Sequence, residues 1–212
     1  CVDRKESAGT AREVKMLIDQ INDKAKKYEF VGFFDDGYEK NVIVNNYPVL
    51  GKISDINSIE HEIAIVRAIA DHITKKNILK KIKNGKVSFP SLIHPNVLIG
   101  KDEVSIGKGC IICSSNVITV NISIGDFVIL NLLCTVGHDT SIGDFSSFMP
   151  SVNISGEVDI KEGVYVGTGA KIINQLEIGE YTIVGAGAVV SKTLPAKCTA
   201  VGIPAKPIKF HE

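Results

Sequence analysis

His138 and Asp139 stand side by side in a 212-residue chain whose second half repeats every six residues, and that spacing decides what they can do. His138 takes the third place of its hexad, between Val136 and Thr140, which the repeat turns inward, so the imidazole points outward. An outward imidazole can take the proton of an attacking amine or hydroxyl, and a carboxylate beside it favours the protonated ring. With three hexads to a coil, the residue 18 positions after His138 is Gly156 and the residue 18 before it is Val120. A glycine beside the ring leaves room for a substrate, and its N–H could donate to a carbonyl oxygen gaining negative charge. The same three residues also read as an exposed histidine, an acidic corner and a glycine chosen for its turn.

Other chemistry-bearing groups are weaker. Cys110-Ile-Ile-Cys113 has CxxC spacing, but no second Cys or His pair follows at zinc-ligand distance, so it reads as small residues in a packed repeat. No metal site is expected, since a three-histidine centre would find only His94 and His138 in the repeats. Cys134 is an inward fifth-position residue with no base beside it, which argues against a thiol nucleophile.

The elements that must position these groups follow from the repeat. An aliphatic or aromatic residue recurs without a miss at Ile106, Ile112, Ile118, Ile124, Leu130, Val136, Ile142, Phe148, Ile154, Ile160, Val166, Ile172, Ile178, Val184 and Val190. The next position is Gly in seven of these fifteen hexads, and the fifth is small or aliphatic, as at Cys110, Val128, Cys134, Ala170 and Ala188. A period of six fits neither a helix nor simple strand alternation, and marks a β-solenoid. Fifteen hexads make five coils, roughly 25 Å tall at ~4.8 Å per coil. Inward aliphatics fill the prism, and glycine at position two is expected to let the chain turn. Hexads at Ile93 and Ile99 share the phase until one extra residue near Ser105 shifts it.

Composition agrees: 19 Gly and no Trp suit a narrow prism. The 24 Lys+Arg balance 24 Asp+Glu, which argues against a nucleic-acid partner. No apolar run approaches the roughly 18 residues of a membrane span, so no membrane insertion is expected. Five scattered cysteines and an opening without a signal-like apolar core suggest a cytoplasmic protein.

Residues 1–88 read differently. Val14, Leu17, Ile18 and Ile21 give one apolar face on a helix from about residue 11 to 26. Strands are expected at 30–34 and 63–66, and a helix at 74–83 ended by Gly85. Helix between strands suggests a small parallel α/β unit, with Asp35 and Asp36 beyond the end of a strand, where ligands bind in such units.

The motifs Gly137-His138-Asp139, Ile142-Gly143-Asp144-Phe145, Ser155-Gly156, Gly167-Thr168-Gly169-Ala170, Ile183 to Val190 and Val201-Gly202-Ile203-Pro204-Ala205-Lys206 resemble those of the hexapeptide-repeat acyltransferases. The closer resemblance is to the branch of sialic-acid O-acetyltransferases and nucleotide-amino-sugar N-acetyltransferases of bacterial surface-glycan pathways. It implies a mainly β chain, with a Rossmann-like acceptor-binding domain at 1–88 and a left-handed parallel β-helix with a C-terminal cap at 89–212. It further implies a homotrimer with the site between subunits, acetyl-CoA as donor and a sugar or nucleotide sugar as acceptor.

Carried over residue by residue, the resemblance makes His138 the general base, supported by Asp139 and Gly156. Coenzyme A contacts are implied at Ser147, Thr168, Gly185, Ala186, Gly202 and Lys206, and acceptor contacts at Gly9, Asp35 and Asp36. Three departures stand out. Several relatives carry a second His where Ser147 stands, Ser7-Ala8-Gly9-Thr10 keeps one glycine of a multi-glycine turn, and Ala70 replaces a Gly. The expected reaction is direct acetyl transfer to a sugar amine or hydroxyl. The rival reading is a non-catalytic trimeric scaffold or carbohydrate-binding module.

Overall fold

The structure, a computed structural model, describes residues 7–211. From Leu92 the chain winds into the expected three-faced parallel β-helix. The first face stacks Leu92–Ile93, Ile111–Ile112, Ile129–Leu130, Ser147–Phe148, Tyr165–Val166, Ile183–Val184 and Cys198–Val201. The second stacks Leu98–Ile99, Val117–Ile118, Thr135–Val136, Asn153–Ile154, Lys171–Ile172 and Val189–Val190. The third runs from Val104–Ile106 through Ile122–Ile124, Thr140–Ile142 and Asp159–Ile160 to Glu177–Ile178.

Register follows the 18-residue coil, with Thr135 opposite Asn153 and Val136 opposite Ile154. The lowest coil holds 19, since Leu98 pairs with Val117, while Val104 already pairs with Ile122. The extra residue therefore sits in the corner 100–103, just before the position near Ser105 that the hexads indicated. Ile112, Ile118, Leu130, Phe148, Val166, Val184 and Val190 are completely buried. Each such side chain contributes about 1.5–3 kcal/mol by leaving water.

The position-two glycines do a different job from the one expected. Left-handed φ falls at position four of the hexad, for example at Asn121, Phe127, Leu133, Asp139, Phe145, Glu157 and Gln175. A Cβ at Gly137 would instead lie 2.5 Å from the Ser155 carbonyl carbon and 2.6 Å from Gly156 N. Glycine there lets one coil press against the next.

Before the β-helix, helix α1 (Ser7–Lys24) precedes strands β1 (Phe33–Phe34), β2 (Ile43–Val44) and β3 (Tyr47–Gly51). Then come β4 (Ile63–Ala64), helix α2 (His72–Lys81) and β5 (Val87–Ser88). Strand β1 runs parallel to β3, β2 antiparallel to β3, and β4 parallel to β5. Parallel pairing fits the expected α/β unit, but among the described residues the two groups do not share one sheet. The helices start earlier and the strands are shorter than predicted.

This part packs on the first face. Ala11, Val14, Leu17 and Ile18 of α1 cluster with Phe33, Ala68 and the outward Leu92, Ile111 and Ile129 of the β-helix. The Asp71 carboxylate caps α2 by accepting from Thr74 N at 2.7 Å. One turn on, Lys75 is fully buried, and its Nζ donates to Phe127 O (3.1 Å), Phe145 O (3.0 Å) and Ser147 Oγ (2.7 Å). Arg67 lies over the Phe127 ring at 3.5 Å and donates to Lys75 O at 2.6 Å. These contacts clamp α2 to two successive coils.

At the far end the coil shortens, Ile183 pairing with Thr199. The chain then turns back as an antiparallel strand, Lys206–Phe210, against Cys198–Val201. The expected C-terminal cap thus ends in a strand that extends to Phe210. Among the described residues no helix is long and apolar enough to cross a membrane.

Candidate active site

The corner joining Thr135–Val136 to Thr140–Ile142 carries His138 and Asp139. Asp139 takes the left-handed conformation, φ 55°, which Asp tolerates better than most residues. His138 is outward, its side chain 56% exposed, and its Nδ1 lies 2.7 Å from Asp139 Oδ2. This contact, with a second hydrogen bond from Asn121, holds the Asp139 carboxyl below the usual carboxylate range. Asn121 Nδ2 donates to Asp139 Oδ1 at 2.8 Å from the coil below.

Gly156 lies against the other side of the ring. A Cβ built there would stand 2.5 Å from His138 Nε2 and 2.6 Å from Cε1. The stacking inferred from the 18-residue step is therefore present in three dimensions. Gly156 O accepts from Gln175 N at 3.2 Å, whereas Gly156 N–H has no acceptor among the described residues. Beside this corner an open groove of about 630 Å³ follows the third face, lined by Glu103, Ser105, Asn121, Ser123, Asp139, Ser141, Glu157 and Asp159 among others, and by no Lys or Arg.

The residues assigned to coenzyme A divide. Thr168 and Ala186 are exposed and stack one coil apart on the corner leading from the first face into the second, where Gly187 N donates to Thr168 O at 2.8 Å. Gly185 precedes Ala186, and a Cβ there would press on Val201 Cγ1 at 2.7 Å. Gly202 and Lys206 are exposed beyond it, in the C-terminal hairpin. The His138 corner bounds the opposite edge of the second face, so a single chain does not bring the two groups together.

Ser147 needs correction. It is completely buried under α2, accepting from Lys75 Nζ and donating to Ala70 O at 2.8 Å. Its first-face strand is covered by the N-terminal region, and its hydroxyl is already paired on both sides.

The acceptor residues also land differently. Gly9 lies inside α1, not on a turn before it, because the helix begins at Ser7; the charged opening at 2–5 lies outside the described residues. Asp35 and Asp36 do follow β1. Asp35 is buried and accepts from Gly37 N at 2.7 Å, while Asp36 accepts from Ile53 N at 2.8 Å and faces Lys81 Nζ at 3.7 Å. Both carboxylates thus help to build the loop that holds them.

Cys110, Cys113 and Cys134 do not offer a nucleophile. Burial pushes the Cys113 thiol up to about 12 and Cys134 up to about 11, and raises Cys110 as well. A buried neutral thiol is a poor attacking group. Residues that the sequence reading missed are Asn121, which the step of 18 back from Asp139 would have found, and Lys75 and Arg67, which no repeat marks.

The chain is similar to several known proteins. The model of the PglD N-terminal domain matches residues 8–82. A GDP-perosamine N-acetyltransferase of Escherichia coli O157:H7 is 36% identical over 105 residues, a match spanning 50% of this chain and 47% of that relative's length. The structure of WeeI from Acinetobacter baumannii AYE superposes with a TM-score of 0.84 at 34% identity, covering 93% of this chain and 94% of that one. PerB from Caulobacter crescentus, solved with CoA and GDP-perosamine, gives a TM-score of 0.84 at 27% identity over 96% and 94%.

Proposed function

The chain belongs to the hexapeptide-repeat, left-handed β-helix acetyltransferases with a PglD-type N-terminal domain, and we propose that it transfers acetyl from acetyl-CoA to the amine of a nucleotide-linked amino sugar. Two relatives support this choice of substrates, one bearing the name GDP-perosamine N-acetyltransferase and one solved with CoA and GDP-perosamine. A role in surface-glycan assembly follows from the same likeness.

The observation that carries the reading is the His138 corner. Asp139 ties Nδ1 at 2.7 Å, which leaves Nε2, on the Gly156 side, as the nitrogen free to accept a proton. In the proposed reaction the acceptor amine attacks the thioester carbonyl directly and His138 takes its proton. The Gly156 N–H faces the oxygen on which charge develops, a role worth typically ~2.7–4 kcal/mol. The carbonyl then re-forms as the C–S bond breaks, and no covalent enzyme intermediate is needed. Acetyl-CoA would lie between subunits of a trimer, since Thr168, Gly185 and Ala186 sit at the far edge of the second face from His138. A neighbouring copy would bring its corner to this one.

The test is His138→Ala, assayed by acetyl-CoA-dependent acetylation of GDP-linked 4-amino sugars. Turnover should fall by the ~10²–10⁴ typical of general-base loss. Near-normal turnover would refute the assignment.

A further inference from the structure

The His138 corner belongs to a ladder of five side chains, one per coil. After Glu103 (φ 50°), Asn121, Asp139, Glu157 and Gln175 recur at intervals of 18 with φ of 54°, 55°, 57° and 62°. Their side chains pair as amide with acid: Asn121 Nδ2 donates to Asp139 Oδ1 at 2.8 Å, and Gln175 Nε2 donates to Glu157 Oε2 at 3.1 Å. Each carboxylate is thus drawn toward a neutral amide and away from the other.

For Asp139 this matters chemically. Being next in sequence to His138 does not aim a carboxylate at a ring, because its half-exposed side chain is free to turn about two bonds. The bond from Asn121 fixes Oδ1, and a carboxylate is planar, so Oδ2 is fixed as well, 2.7 Å from His138 Nδ1. An ionised carboxylate can only accept, so Nδ1 must carry the hydrogen and Nε2 the lone pair. Among the described residues no lysine or arginine pairs with Asp139. Of the charged groups lining the groove beside it, Asp159 is paired with Lys161, whereas Glu103 and Glu157 would push a loose carboxylate aside.

We propose that Asn121 is a positioning residue that sets the tautomer and orientation of His138 through Asp139; the catalytic consequence rests on the reading of His138 as general base. Asn121→Gly is the informative variant, because glycine accepts the left-handed backbone that alanine would strain. Asn121→Gln keeps the amide, and Gln175 already occupies the same ladder with a left-handed φ.

With ¹⁵N-histidine-labelled protein, the His138 ring signals, assigned by their loss in His138→Ala, report the tautomer without reference to activity. Wild type should hold hydrogen on Nδ1, N121G should lose that bias, and N121Q should restore most of it. Turnover of N121G should fall on the order of tenfold at unchanged KM for acetyl-CoA, far less than the ~10⁴ seen when a triad carboxylate is replaced. On an Asp139→Gly background N121G should cost nothing further, since the effect runs through Asp139. An unchanged tautomer in N121G, or the same loss on the D139G background, overturns the proposal. A fully active His138→Ala enzyme, with N121G still shifting the tautomer in protein that keeps His138, would remove the base reading and leave the positioning role standing.

Discussion

Gly156→Ala tests whether turnover needs the space that this glycine leaves beside His138. The backbone at Gly156 lies outside the left-handed region, so alanine brings no strain of φ. Its methyl carbon would stand 2.5 Å from His138 Nε2, about 0.9 Å inside the 3.4 Å at which ordinary contact begins. The obstructing atoms are the end of an exposed side chain, so the ring will swing outward and the coil will stay put. That swing breaks the 2.7 Å contact with Asp139 and moves Nε2 by about as much as the clash requires. A displacement near 1 Å at a reacting group costs ~10²-fold, which is roughly 2.7 kcal/mol of transition-state stabilisation. Folding should hardly change, because Gly→Ala at a compatible site is worth about 0.4–1 kcal/mol in favour of the folded chain. The assay is steady-state release of free coenzyme A thiol beside a urea unfolding curve for the same protein. Undiminished kcat in G156A, or a large loss of stability in its place, would refute this account.

Two further outcomes follow from buried groups. Lys75→Met leaves Phe127 O and Phe145 O without the donor they share, which should cost about 2–6 kcal/mol of stability. Burial, followed by the charge of Arg67, pushes Lys75 down to about 7, so between that value and an ordinary lysine's 10.5 the unfolded chain holds a proton that the folded chain lacks. Wild-type stability should therefore rise relative to K75M by ~1.4 kcal/mol per pH unit from pH 7 toward 10 and stay flat below 7; parallel urea-unfolding profiles of the two proteins would contradict it. Cys134, fully buried and raised to about 11, should resist a thiol reagent at pH 8 in the native protein and react on unfolding; its prompt labelling in folded protein would contradict the packing described.

The repeat made part of this site legible because an 18-residue coil turns sequence distance into spatial neighbourhood. His138 and Gly156 meet for that reason, and the same step links Asn121 with Asp139. What the hexads do not encode is which of three similar faces another part of the chain will cover. Ser147 occupies an outward position that the motif offers to a ligand, yet α2 and Lys75 lie over it. Nor does composition report φ. Glycine at position two suggested a turning residue, whereas the left-handed turn falls two places later on Asp, Glu, Phe or Leu, and the glycines serve close contact between coils. Gly9 was misplaced because a lone glycine inside a strong helical pattern ends nothing when its neighbours favour the helix.

The arrangement of charge bears on which nucleophile the site suits. The groove along the third face at His138 is lined by Glu103, Asp139, Glu157 and Asp159, of which Asp159 alone is paired with a lysine among the described residues, Lys161, while Lys192, Lys197, Lys206 and Lys209 are exposed at the C-terminal end. Phosphates would be repelled from the groove and attracted to the basic end, so a phosphate-bearing ligand should approach His138 with its uncharged or cationic part foremost. An amino sugar arrives largely as an ammonium ion and gains from that field, whereas a hydroxyl does not. Before it attacks, the ammonium must lose a proton, and acidic neighbours hold that proton more firmly. Attraction and reactivity therefore pull in opposite directions. A base whose Nε2 lone pair is held free, as the Asn121–Asp139–His138 chain would hold it, is the arrangement that lets an acidic groove both collect an amine and release it as a nucleophile.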